Sequence, residues 1–437
     1  MTARARHGCG ALALAALTLQ MGCSLGRFDD QRDRAWADAT DHPDGVDGRE
    51  YPIAVASLSS VRPGAHFVTL AADPPGLATV SYGISGSYEA SGVNLPEIAA
   101  DALASTRATV AAANTNVAGA DSAVAVGGLG DRSALLIYDA RSGSEGPVLR
   151  RVIEASECGG GRDLGRHMVW TRTALGVTDE AELVVSVEGG LIIFVDLAAD
   201  STPLSYVRCA IADIKGMAAA DFDPTSLGDE LALGLDGQVV LTHATTVAFH
   251  SDRGARCFTE ASPFASIPSE GEADFGAMLA AGNSNELAIP ELAIAAPSAG
   301  KVYVFSDMST SGPSGPPQAL ARENVSPSFA TSMAFGDLNG DGFDELIVGD
   351  PGDSPSGAVR AGSAWVYAAE QPQGRVTYQE LAHLYDRDPE ADQRFGTALA
   401  VTQHSGTLGK TDVLLVGAAH ELFTYFRALA AGVDPRE

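Results

Sequence analysis

The run Phe335-Gly336-Asp337-Leu338-Asn339-Gly340-Asp341-Gly342-Phe343-Asp344-Glu345-Leu346-Ile347-Val348-Gly349-Asp350-Pro351 packs five oxygen-bearing side chains into nine residues and then turns apolar. Asp337, Asn339, Asp341 and Glu345 stand at positions 1, 3, 5 and 9 of a tight loop. Ca²⁺ takes six to eight hard oxygen ligands in flexible geometry, so these four side chains and the Phe343 backbone carbonyl form a calcium set. Gly342 permits the sharp turn between them. An EF-hand opens with the same spacing but needs a bidentate Glu at position 12, where this chain has Val348, and flanking helices. Here the loop runs into the β-pattern Leu346-Ile347-Val348, so the EF-hand is excluded and a β-hairpin is expected.

The apolar run after the loop recurs along the chain. It appears as Ala123–Gly128, Leu183–Val187, Leu231–Gly234, Leu292–Pro297, Leu346–Pro351 and Val413–Ala419, at spacings of 60, 48, 61, 54 and 67 residues. Each interval is long enough for one four-stranded sheet. Several units add an aromatic-rich second run, at Leu135–Tyr138, Leu191–Val195, Val302–Phe305, Ala364–Tyr367 and Leu422–Phe426. Tyr51–Ala56 followed by His66–Leu70 could supply a seventh unit, and the sequence alone allows six to eight. Phe-Gly opens three units, at Phe275-Gly276, Phe335-Gly336 and Phe395-Gly396; upstream, Gly165-Arg166-His167 and Gly216-Met217-Ala218 stand in that place.

Phe-Gly, an acidic loop, a Gly-Ala-Pro-like turn and an aromatic strand, in that order, resemble the FG-GAP repeat of integrin α-subunit propellers, most closely from Asp274 to Phe426. The resemblance implies an all-β propeller, most readily of seven blades of four antiparallel strands, occupying 51–437. Radial packing suits such a pattern, because it leaves only short protected edges and lets each blade bury its faces on its neighbours. The family more often has Asp where Glu345 stands. No ligand-contacting motif carries over from integrins.

Other loops show what loss of the site looks like. Asp221-Phe222-Asp223-Pro224 leading to Asp229-Glu230 is a degenerate version, Asn283-Ser284-Asn285-Glu286 is weaker, and Gln403–Lys410 has no carboxylate. Asp307-Met308-Ser309-Thr310-Ser311 resembles the D-x-S-x-S adhesion motif of von Willebrand A domains, which needs a helix next. Gly312-Pro313-Ser314-Gly315-Pro316-Pro317 cannot start one, so a flexible inter-blade loop is expected.

With 56 acidic against 28 basic residues the formal charge is −28, which argues against nucleic acid and makes divalent cations natural partners. Arg4 and Arg6, the apolar run Ala11–Leu19 and Gly22-Cys23-Ser24 read as a signal peptide over 1–22, too short to span a membrane for good. Small residue then Cys resembles the bacterial lipobox, with Cys23 as the lipidated residue, although Gln20 holds the usual Leu position. Ordinary secretion is the alternative. Residues 23–50, with seven aspartates, read as a polar tether. The expected location is the bacterial cell envelope, at the outer membrane or cell surface. Cys158, Cys209 and Cys257 allow one internal disulfide and one free thiol, or three unpaired thiols. No H-E-x-x-H, G-x-S-x-G or P-loop occurs.

The sequence therefore points to a non-catalytic, calcium-stabilised binding or adhesion module with a protein or glycan ligand. Two alternatives stand beside it: an enzyme or enzyme subunit working through the central face of the ring, and a structural part of an envelope complex. Carboxylates or aromatic residues along the central channel would favour the enzyme, and small apolar residues the binding module.

Overall fold

A strand with both faces covered needs a continuous apolar run, whereas a half-exposed strand alternates. The recurrent runs of this chain are continuous, and in the computed structural model they are second strands of successive sheets. The structure describes residues between 54 and 426, leaving out several stretches within connections, among them 115–121, 173–180, 225–228, 244–263 and 286–288. The stretch expected to be signal peptide and tether, 1–50, lies outside the described residues, as does Cys257.

Seven antiparallel sheets follow one another along the chain, at 54–94, 109–154, 168–210, 216–268, 279–321, 333–384 and 398–426. We call them blades 1 to 7 and their strands a to d, in chain order. Blades 1 to 6 have four strands, and blade 7 shows three among the described residues. Strands b of blades 2 to 6 are buried at every position. The aromatic-rich runs are strands c, and His66–Leu70 lies in strand b of blade 1, so the seventh unit read from the sequence is a blade.

The core is divided among the joints between blades. Val68, Leu70 and Leu77 of blade 1 pack on Val124, Val126 and Leu136 of blade 2, and corresponding clusters fill every joint that follows. The seventh cluster, Val55, Phe67 and Val80 with Ala398, Val413 and Leu415, joins blade 7 to blade 1 and closes the ring. Thr402 Oγ1 donates to the His66 carbonyl at 2.9 Å across the same joint. Strands a pack against one another around the ring, from Ala54–Ser57 to Ala398–Gly406 and back.

Two expectations are corrected. The Asp307–Ser311 segment was expected to be a flexible loop, but Met308–Ser309 pairs antiparallel with Gly312–Pro313. Met308 is buried with the core between blades 4 and 5, and Gly312 lies against Ala265 of blade 4, so apolar contact holds the hairpin down.

The second correction concerns the Phe-Gly marks. Gly276 and Gly396 each adopt a left-handed backbone (φ +86° and +88°) and donate their N–H to strand b of their own blade, at Ala295 and Gly417. The residue that does this in blade 6 is Ala330 (φ +61°), donating to Gly349, so the equivalent pair is Phe329-Ala330. Phe335-Gly336 instead ends strand a. Spacing carried the signal: Phe275 and Phe395 precede the apolar runs at Leu292 and Val413 by 17 and 18 residues, and Phe329 precedes the run at Leu346 by 17, against 11 for Phe335.

Candidate metal centre

The acidic loop joins strands a and b of blade 6, with Gly336 opposite Glu345 as the last cross-strand pair. Gly342, at φ +94°, turns the chain where a side chain would be strained. The loop's polar side chains are turned onto its own backbone. Gly342 N–H donates to Asp337 Oδ2 (3.1 Å), Asp341 N–H to Asn339 Oδ1 (2.8 Å) and Phe343 N–H to Asp341 Oδ1 (2.9 Å). Asn339 Nδ2 donates to both Asp341 Oδ2 (3.0 Å) and Glu345 Oε1 (2.6 Å), so a neutral amide stands between two carboxylates.

Glu345 is 1% exposed and accepts the N–H groups of Leu338 and Asn339 at 2.8 and 3.1 Å. Burial first, then the negative charge of Asp341, pushes its carboxyl up to about 8; the backbone donors oppose this and Asp337 adds to it. Asp341 is exposed, and Phe343 is half-buried. The loop thus brings together the side chains read as a calcium set. Among the described residues, no three His, Cys, Asp or Glu side chains converge as a metal cluster. The fit to calcium rests on the donors themselves: hard oxygens on one tight turn, and a buried carboxylate on which the negative charges of Asp341 and Asp337 act.

Glu345 also belongs to a repeat that the sequence reading passed over. Glu182, Glu230 and Glu291 start strand b of blades 3, 4 and 5 and are likewise buried. Glu230 Oε2 accepts Asp223 N–H (2.8 Å) and Glu291 Oε2 accepts Ser284 N–H (2.6 Å), each seven residues upstream, as Glu345 accepts Leu338. A carboxylate that clamps its own hairpin in this way reaches one methylene further than Asp can, which accounts for Glu where the repeat more often has Asp. The signal was available as Glu-Leu at the start of four apolar runs.

The degenerate loop of blade 4 differs electrostatically. Burial, Glu230 and Asp229 raise the Asp221 carboxyl, and Arg172 of blade 3 opposes them. Arg172 Nη2 stands 3.6 Å from Asp229 Oδ1, so an internal cation meets the charge of that loop. No cation acts on Glu345 in this way among the described residues. In blade 7, strands a and b continue through 403–406 and 409–410 with Gly406 opposite Gly409, which leaves no comparable loop.

Two aspartates given no role from sequence are structurally prominent. Asp344 Oδ2 accepts Asn283 N–H of blade 5 at 2.7 Å, and Asp412 Oδ2 of blade 7 accepts Asp337 N–H at 2.9 Å. Of the cysteines, Cys209 is disulfide-bonded and Cys158 is a buried free thiol, which selects the reading with one bond.

Comparison with known proteins agrees with this architecture. The profile of the FG-GAP repeat matches residues 329–367, beginning at Phe329 and ending at Tyr367 of strand c, so the chain carries that repeat in blade 6. No curated protein sequence matches the chain. Among solved structures, a chain of the crystal structure of BBS1N in complex with ARL6DN, soaked with lead, superposes with a TM-score of 0.53 at 14% identity, over 91% of this chain and 98% of that one. At that identity the likeness shows the fold alone, and a shared fold does not choose a function.

Proposed function

We propose that this seven-bladed FG-GAP propeller is an exported, calcium-stabilised binding module that works without catalysis and is held at the bacterial cell envelope through Cys23. The carrying observation is the composition of the ring's inner wall. The seven strands a, at 54–57, 109–114, 168–171, 216–220, 279–282, 333–336 and 398–406, hold no Asp, Glu, Lys or Arg and are dominated by Ala, Gly, Val and Met. Acid–base chemistry needs titratable groups within reach of a substrate, and these strands offer no carboxylate pair for it. The small apolar wall supports a module whose ligand, a protein or glycan, binds through loops.

Calcium would be held by Asp337, Asn339, Asp341 and Glu345 with the Phe343 carbonyl, and would supply the positive charge that buried Glu345 lacks. The Cys209 disulfide supports export, since such bonds persist in oxidising compartments.

Calcium affinity on the order of 10⁻⁴ M, at millimolar ion, adds roughly 1.4 kcal/mol of stability. A chelator should therefore lower the Tm of the full chain by a few degrees, and Asp341→Ala should lower it in calcium and abolish the response. An identical Tm with and without chelator in the unaltered protein would refute the calcium site.

A further inference from the structure

The ring is stitched unevenly. Asp229 and Asp344 stand immediately before strand b of blades 4 and 6, and Asp412 stands inside strand b of blade 7, opposite Gln403. In each case the carboxylate crosses to the preceding blade and accepts the N–H of the first residue after strand a. Asp229 Oδ2 takes Arg172 N–H (2.9 Å) and Thr171 Oγ1 (2.8 Å), Asp344 Oδ2 takes Asn283 N–H (2.7 Å), and Asp412 Oδ2 takes Asp337 N–H (2.9 Å). The backbone returns the bond at two joints, from Asp229 N–H to the Arg172 carbonyl (2.6 Å) and from Asp344 N–H to the Asn283 carbonyl (2.9 Å). Ser284 Oγ adds a third bond at the 5|6 joint, to the Asp344 carbonyl at 2.7 Å. Blades 3 and 5 have Ala181 and Pro290 before strand b, which cannot make the contact, and Asp121 at that position of blade 2 lies outside the described residues.

Blade 6 is latched on both sides, and both latches end inside its acidic loop. Asp337 is the loop's first residue and donates its N–H to blade 7; Asp344 is its penultimate residue and receives blade 5. Between them lie the side chains proposed to hold calcium. A ligand that fixes residues 337–345 therefore fixes the anchor points of two joints, because the backbone positions at both ends of the loop are shared with the latches.

We infer that Asp344 and Asp412 couple the blade 6 loop to its neighbours, so that calcium there stiffens the 5|6 and 6|7 joints as one unit and leaves the 3|4 latch untouched. This rests on the calcium reading above. The metal then acts on a three-blade segment of the ring, which includes the blade that closes it against blade 1.

Hydrogen exchange by mass spectrometry on the full chain, with and without calcium, tests the coupling, and calorimetric calcium titration of the same samples separates it from metal binding. In the unaltered protein, calcium should slow exchange in 337–345 and also at Asn283 and Ser284, by about five-fold or more. The loop containing Asp223 and Glu230 should not respond. In Asp344→Asn, whose amide keeps the shape and removes the charge, the loop should still be protected and calcium affinity hold within about three-fold, while the blade 5 effect is lost. Calcium protection confined to 337–345 in the unaltered protein overturns the coupling and leaves the calcium site standing. No binding heat and no protection anywhere overturns both. Should Asp344→Asn fail to fold, Asp412→Asn gives the same reading at the opposite joint, with blade 7 losing its response.

Discussion

Glu345 carries two demands that conflict without a cation. Its carboxylate must sit under the loop to hold Leu338 and Asn339, and that burial disfavours the charge it uses to do so. A carboxyl that ordinarily titrates near 4.5 is held at about 8 in the fold. The native protein then keeps a proton that the unfolded chain releases, so this group's stabilising contribution is complete below pH 4.5 and is lost as pH rises through 8. In chelator, urea midpoints should fall between pH 5 and 8.5; saturating calcium should flatten the fall, and Glu345→Gln should remove its share of it. Midpoints independent of pH in chelator would contradict the buried-charge argument. The same residue shows why sequence spacing overstated its specificity: Glu at the start of strand b is a hairpin clamp in blades 4, 5 and 6, and blade 6 adds Asp337, Asn339 and Asp341 around it.

At the scale of elements, the Gly of strand b and the left-handed residue of the next blade meet backbone to backbone. A Cβ on Gly349 would lie 2.3 Å from the Gly396 carbonyl oxygen, and one on Gly234 would lie 2.1 Å from that of Gly276. Ser332 Oγ also donates to the Gly396 carbonyl, at 2.6 Å, so the 6|7 joint has no slack there. Gly357 is a useful contrast: its φ is +85°, yet a Cβ there would meet nothing within 4 Å. Gly349→Ala should cost about 3 kcal/mol by forcing blades apart, and Gly357→Ala about 1 kcal/mol from backbone strain alone, both read by chemical denaturation. Equal costs would mean that the joint can open to admit a methyl group. The two halves of the repeat signature are thus two sides of one inter-blade contact, brought together from different blades.

The ring is held by seven joints of one kind of packing and, among the described residues, by three aspartate latches of another, with the disulfide at Cys209 as a covalent addition. Mass spectrometry of unreduced, detergent-extracted protein should find Cys209 in a disulfide, Cys158 alkylated only after unfolding, and acyl chains on Cys23. A reactive Cys158 in the folded state would contradict its burial, and an unmodified Cys23 would remove the anchor. Six of the blades and the order of strands b and c were legible in the chain because a strand covered on both faces must be apolar throughout, and that demand is written residue by residue; seven was what the family resemblance implied. The loop's oxygen donors were legible for the same reason: calcium asks for a local set, and local sets appear as spacing. What only the tertiary structure decided lies between blades. Phe329-Ala330 replaces Phe335-Gly336 because a left-handed backbone, not a residue name, defines the turn. Asp344 and Asp412 acquire their roles from N–H groups some 60 to 75 residues away. Such pairings depend on how neighbouring sheets pack, and no short-range pattern in one blade records what its neighbour presents.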